Sequence, residues 1–118
     1  MKNEFENKFK NEFEILLAAG DSKTSSIEAI EKAKAFKFEE AKELLRKSEK
    51  EMITAHQIEA NLVSEEANNN GKNYGVLMMH AQDHLMAAII FWEMASQFVA
   101  LYEELYKLKG GNNDKDLA

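Results

Sequence analysis

Not one of the 118 residues is proline, so nothing in the chain obliges a helix to kink or stop for want of a backbone donor. Between the charged residues, 31% of the total, apolar side chains recur at steps of three and four, the spacing of one helical face. Such a chain folds into a few long helices. No alternating strand pattern competes with the helical one, and no internal repeat is present.

Phe5, Phe9, Phe13, Leu16, Gly20, Ile27 and Ile30 recur mostly at the spacing of one face of a first helix, about residues 3–35. Local rules allow a break within it, because Gly20 could end one helix and Asp21, Ser22 or Thr24 could cap another. A short connection at Ala35-Phe36-Lys37 leads to a second helix, about residues 38–69, carried by Phe38, Ala41, Leu44, Leu45, Met52, Ala55, Leu62 and Val63. Glu39 and Glu40 near its start suit the positive end of the helix dipole, and Glu43 with Lys47 is a favourable i,i+4 pair. The run Asn68-Asn69-Asn70-Gly71-Lys72-Asn73-Tyr74-Gly75 reads as a loop, and a third helix follows over about residues 75–109. Residues 110–118 read as a disordered tail. The expectation is one all-α domain over residues 1–109, an antiparallel up-down-up three-helix bundle.

The third helix is richer in apolar residues than one buried stripe requires: Leu77, Met78, Met79, Leu85, Met86, Ile89, Ile90, Phe91, Trp92, Met94, Phe98, Val99 and Leu101. A helix apolar on more than one side is buried on more than one side, so this helix is expected to associate with another chain.

Composition excludes several functions. With no cysteine there is no disulfide framework, zinc-cysteine site or thiol chemistry, which fits a reducing compartment. The net charge of −6 comes without a basic cluster able to track a phosphate backbone, so nucleic acid is not an expected partner. Acids at Glu4 and Glu6 interrupt what would be a signal core, and no apolar run approaches the roughly 18 residues of a membrane span. The expectation is a soluble cytoplasmic protein with no direct membrane insertion.

Within the apolar third helix stand two of the three histidines and an acid, in Met78-Met79-His80-Ala81-Gln82-Asp83-His84-Leu85-Met86. Steps of three and four set His80, Asp83 and His84 toward one side, within about one turn. Imidazole can attack phosphorus as a neutral base near physiological pH and hold the phosphoryl group covalently. His84 could donate a hydrogen bond to the phosphoryl oxygens. Asp83 would repel a phosphoryl dianion unless it faces a cation or another interface, and on a three-fold assembly three such carboxylates could share one divalent cation. For zinc, only His56 or Glu59 on the second helix offers a further ligand, and Met78, Met79, Met86, Met94, Phe91 and Trp92 read as packing residues.

Met79-His80-Ala81-Gln82-Asp83-His84-Leu85-Met86 resembles the signature of the lactose/cellobiose-type IIA component of the bacterial sugar phosphotransferase system. Ala19-Gly20-Asp21, Ala33-Lys34, Phe38-Glu39-Glu40-Ala41, Ala55-His56 and Glu65-Glu66-Ala67 fall in that family's order, so the resemblance spans about residues 5 to 108. It implies a nine-helix homotrimer of three-helix subunits and a cytoplasmic carrier taking a phosphoryl group from HPr and passing it to the IIB component of a sugar permease. It also implies His80 as the phosphorylated residue, His84 as its supporting neighbour, and Asp83 as the contact to a divalent cation, expected to be Mg2+, on the trimer axis. The family's first helix is uninterrupted, which argues that Gly20 does not break it.

The chain departs from the family pattern at Glu59-Ala60, where Gln-Thr is usual, and at Gly20-Asp21-Ser22-Lys23-Thr24, where Gly-Asp-Ala-Arg-Ser is usual. Competing readings are a histidine phosphotransfer domain of a two-component system and a structural or regulatory helical trimer without carrier function. The former usually places lysine soon after its histidine, where this chain has Asp83.

Overall fold

The structure, a computed structural model, describes residue 4, residues 7–68 and residues 75–111. Three long helices carry the fold: α1 (Lys10–Lys34), α2 (Phe38–Asn68) and α3 (Val76–Tyr106), the last running on into a π-helical turn, Lys107–Gly111. Residues 69–74 of the expected loop and residues 112–118 of the expected tail lie outside the described residues.

α1 passes through Gly20 without a break. The potential caps at 21–24 are overruled because Ser22 turns inward to α2 and leaves the backbone donors of its own helix in their ladder. α1 instead stops at Lys34, where the chain reverses through a Schellman arrangement. The Lys37 amide donates to the Lys32 carbonyl at 2.9 Å and the Phe36 amide to the Ala33 carbonyl at 3.0 Å. The left-handed position belongs to Phe36, with φ 61°, where glycine is the usual occupant. Aromatic contacts hold it: the Phe36 ring lies 5.1 Å from that of Tyr106 and 6.1 Å from that of Phe38, closing this end of the bundle.

Small residues line the seam where the helices meet. Ala29, Ala33, Ala41 and Val99 form one buried cluster near the Phe36 turn, and Ile15, Ala55, Met78, Ala81 and Leu85 form the other toward the far end. These clusters bring the first half of α1 beside the first half of α3 and the second half of α2, the expected up-down-up order. Between them lies a polar layer. Ser22, Ser26 and Ser48 are fully buried, with Ser26 Oγ 2.7 Å from Ser48 Oγ, and Ser22 and Ser48 each donate to the other's backbone carbonyl. No buried side-chain nitrogen or oxygen among the described residues lacks a partner. α2 and α3 are tied by the Trp92 indole N–H, which donates to the Leu45 carbonyl at 3.0 Å, and by the 3.0 Å ion pair of Lys42 with Glu103.

A core built mainly from alanine and serine buries few large side chains, and the surplus lies on the surface. Along α3, Val76, Met79, Met86, Ile90, Met94, Phe98, Leu101 and Leu105 are 41% to 82% exposed and follow one another at steps of three and four, apart from the position of Asp83. At about 100° per residue this stripe is diametrically opposite the buried arc of Met78, Ala81, Leu85, Ala88, Ala95 and Val99. The second apolar side expected of this helix is therefore present and uncovered within one chain. The same surplus gives a helix, Val76–Gly110, long and apolar enough by length and composition to cross a membrane. The polar residues of α3 are scattered through it, so this apolar character is an average over the helix and not an unbroken run, and it does not conflict with the expectation of no membrane insertion.

Candidate functional site

Ala81 and Leu85 are fully buried and lock the first turns of α3 into the bundle. Each follows a histidine, so His80 and His84 emerge one helical step, about 100°, from the buried arc, on the margin between core and surface. Both are exposed, and their rings meet edge to face, with centroids 4.6 Å apart and planes at 77°. Edge-to-face contact aims the polarised edge of one ring at the π-face of the other. The two imidazoles thus form a single surface feature, open on the outside and backed by the bundle.

Asp83 separates from them. It is exposed, about 60° around the helix from His80 and about 100° from His84, and it occupies the gap between Met79 and Met86 in the apolar stripe. Among the described residues no ion pair joins it to either histidine or to any lysine or arginine. A lone carboxylate in the middle of an apolar stripe is unfavourable to cover unless a cation or hydrogen bonds accompany it. Three predicted site residues therefore share one turn while addressing two different arcs.

His56 is exposed and Glu59 half-buried on α2, but among the described residues no group of three His, Cys, Asp or Glu side chains is placed to hold a metal ion. Within one chain the zinc reading gains no support. Of the residues expected to pack, Met78 is buried and Trp92 half-buried, whereas Met79, Met86 and Met94 lie on the uncovered stripe.

Periodicity alone did not reveal a cation on the histidines' side of α3. α3 carries no lysine or arginine from Val76 to Tyr106. Lys23 of α1 reaches across to it, with Nζ 4.9 Å from the centre of the Phe91 ring. Phe91 lies seven residues after His84, hence on the same side of α3 to within about 20°, roughly two turns further along. The signal in the sequence is the want of any basic residue on α3; the partner that answers it depends on the register of α1 against α3. On α2, hydrogen bonding and attraction from Arg46 hold the fully exposed Glu43 below its ordinary range, and Glu43 in turn holds Arg46 above its own.

Comparisons with known proteins agree with this architecture. The family described as the lactose/cellobiose-specific IIA subunit of the PTS system matches residues 10–103. The lichenan-specific phosphotransferase enzyme IIA component of Bacillus subtilis is 36% identical over 100 residues, covering 85% of this chain and 91% of that protein. The lactose-specific EIIA component of Staphylococcus epidermidis is 32% identical, covering 78% and 88% respectively. Among solved structures, the cellobiose-specific enzyme IIA from Bacillus anthracis superposes with a TM-score of 0.78 at 35% identity, covering 83% of this chain and 90% of that one. PtcA from S. mutans does so with a TM-score of 0.73 at 30% identity, covering 79% and 91%. A three-helix bundle of this sequence, with the match running through all three helices, belongs to the lactose/cellobiose-specific IIA family of the phosphotransferase system.

Proposed function

We propose that this chain is the cytoplasmic phosphoryl carrier of a sugar phosphotransferase system of the lactose/cellobiose/chitobiose type, accepting the group from HPr on His80 and passing it to a IIB component. The observation that carries the reading is the exposed edge-to-face pair of His80 and His84 on a helix otherwise poor in polar residues. A neutral His80 ring nitrogen attacks phosphorus in line. The new N–P bond forms as the bond to the donor's leaving nitrogen breaks, and that nitrogen keeps the electron pair. His84, one turn away, donates an N–H to a phosphoryl oxygen, where negative charge is concentrated. Transfer to IIB reverses the sequence: an acceptor nucleophile bonds to phosphorus and His80 leaves as a neutral imidazole.

The uncovered stripe of α3 supports assembly as a homotrimer, with three copies of α3 packed about an axis to give nine helices. Asp83 is the stripe's one acidic interruption, so three carboxylates converge at one level of such an assembly, an oxygen donor set that suits a hard divalent cation such as Mg2+. That cation would supply the positive charge that lets three carboxylates share an apolar surround. Light scattering tests the assembly: about three times the 13.5 kDa of one chain is expected, and a monomer at micromolar concentration would contradict it.

The carrier reading is tested by incubating the protein with phosphoenolpyruvate, enzyme I and HPr and trapping an acid-labile phosphoryl adduct. His80→Ala is expected to abolish the adduct and His84→Ala to slow its formation. An adduct that persists in His80→Ala would sink the site assignment.

A further inference from the structure

We propose that Lys23, held over Phe91, is the steering cation that brings the phosphorylated donor onto His80; this rests on the carrier reading above. The problem it answers is electrostatic. The chain carries a net charge of −6, and an incoming phosphoryl group adds about −1.5 to −2 of its own, so approach is opposed by the whole molecule. α3, which bears both histidines, has no lysine or arginine along Val76–Tyr106, while Asp83, Glu93, Glu103 and Glu104 add negative charge to it. Relief must come from another helix.

Lys23 supplies it in a fixed place. Its ammonium lies 4.9 Å from the centre of the Phe91 ring, and Ser22, the residue before it, is pinned to Ser48 of α2. His80, His84 and Phe91 fall within an arc of about 40° on α3, with Phe91 about 10 Å along the axis from His84 and about 16 Å from His80. A partner covering the usual ~800 Å2 per side occupies a disc of about 16 Å radius, so a donor centred on the histidines reaches Lys23 at its rim. Rim charges govern encounter and salt dependence more than the chemistry at the centre.

The magnitude follows from Coulomb's law. A unit cation and a dianion about 10 to 16 Å apart in water, with a Debye length of about 30 Å at ~10 mM ionic strength, alter an encounter rate by about two- to threefold. Charge reversal squares that factor, which before rounding is about 1.7 to 2.7, to about three- to sevenfold.

The test uses the full-length chain and phosphorylated HPr in rapid-quench transfer, comparing the parent with Lys23→Gln and Lys23→Glu. At ~10 mM ionic strength the second-order rate is expected to fall about two- to threefold in Lys23→Gln and about three- to sevenfold in Lys23→Glu. The limiting rate at saturating donor stays at the parent value, and the three proteins converge at ~1 M salt. Phe91→Leu, which keeps apolar bulk and removes the ring that holds the ammonium, is expected to lose less than Lys23→Gln and with the same salt dependence. A Lys23→Glu rate equal to the parent's at low salt overturns the proposal, as does a loss that persists at ~1 M salt or appears in the limiting rate. A parent chain that accepts no phosphoryl group removes the carrier reading, and the steering role with it.

Discussion

Ser48 offers the sharpest test of how the bundle is held in register. Its hydroxyl donates to the Ser22 carbonyl at 2.8 Å and stands 2.9 Å from Ser22 Oγ and 2.7 Å from Ser26 Oγ, while Ser22 Oγ donates to the Ser48 carbonyl at 2.9 Å. Three hydroxyls own three protons. Two go to the carbonyls, so Ser26 donates to Ser48 Oγ and the Ser22–Ser48 oxygen contact is left to be shared. Ser48→Ala removes the acceptor of the Ser26 proton, although Ser26 can turn to the carbonyl four residues back, that of Ser22, which Ser48 has vacated. The cost should therefore sit at about 1 to 2 kcal/mol, below that of an orphaned buried hydroxyl. For a domain of this size that is a drop of roughly 3 to 10 °C in Tm. Replacing all three serines by alanine leaves no polar group unsatisfied and gains helix propensity of roughly 0.5 kcal/mol at each site. The triple variant should then lie within about 1 kcal/mol of the parent, far from the sum of the three single losses. Urea unfolding at one fixed protomer concentration measures all four variants, since assembly would otherwise shift the midpoint. A triple loss equal to the summed singles would refute the coupled network.

Other expectations follow from single positions. Gly20 lies inside α1, and a Cβ built there meets nothing within 4 Å, so Gly20→Ala should stabilise by about 0.5 to 1 kcal/mol, read as a higher urea midpoint. Phe36→Ala keeps the left-handed backbone and loses the ring contacts to Tyr106 and Phe38, whereas Phe36→Gly loses the rings and relieves the backbone; glycine should be the more stable variant by about 1 kcal/mol, and equal midpoints would deny the strain. Asp83→Leu completes the α3 stripe, so the assembly should persist on light scattering while its melting temperature ceases to respond to a chelator. Dissociation of that variant to monomers would show that the cation contact is essential to assembly.

Helix number, order and approximate limits were legible because proline is absent and apolar spacing is long-range and redundant; α2 and α3 need no cap to announce them. Gly20 was ambiguous for a local reason. Glycine followed by Asp21 and Ser22 satisfies the rules for a helix end, and only the inward pull of Ser48 on Ser22 decides otherwise. The serine layer itself was not legible, because a serine at an inward position reads as a break in the apolar pattern until a second helix is seen to bring serine opposite it. The same limit hid Lys23: its partner Phe91 is 68 positions away in sequence, and nothing local in either residue names the other.

The division of labour on α3 follows from the angular arithmetic of one helix. The arc of Ala81, Ala88 and Ala95 uses small residues to bring α1 and α2 close, which leaves most of the larger apolar residues for the opposite arc. One arc packed within the chain and, in the proposed assembly, a second packed beyond it leave two flanks between them. Under the proposed carrier role, the group reached by one protein and then by another can stand only on such a flank, and His80 and His84 stand on one, with Lys23 crossing from α1 to the same flank. An aspartate on that flank would oppose phosphoryl approach; displaced by about 60° from His80 into the apolar stripe, Asp83 can act on assembly. Shifting the histidines by a single residue would carry them about 100° around, into the buried arc or out into the stripe, and in either place the pair would be closed to a protein donor.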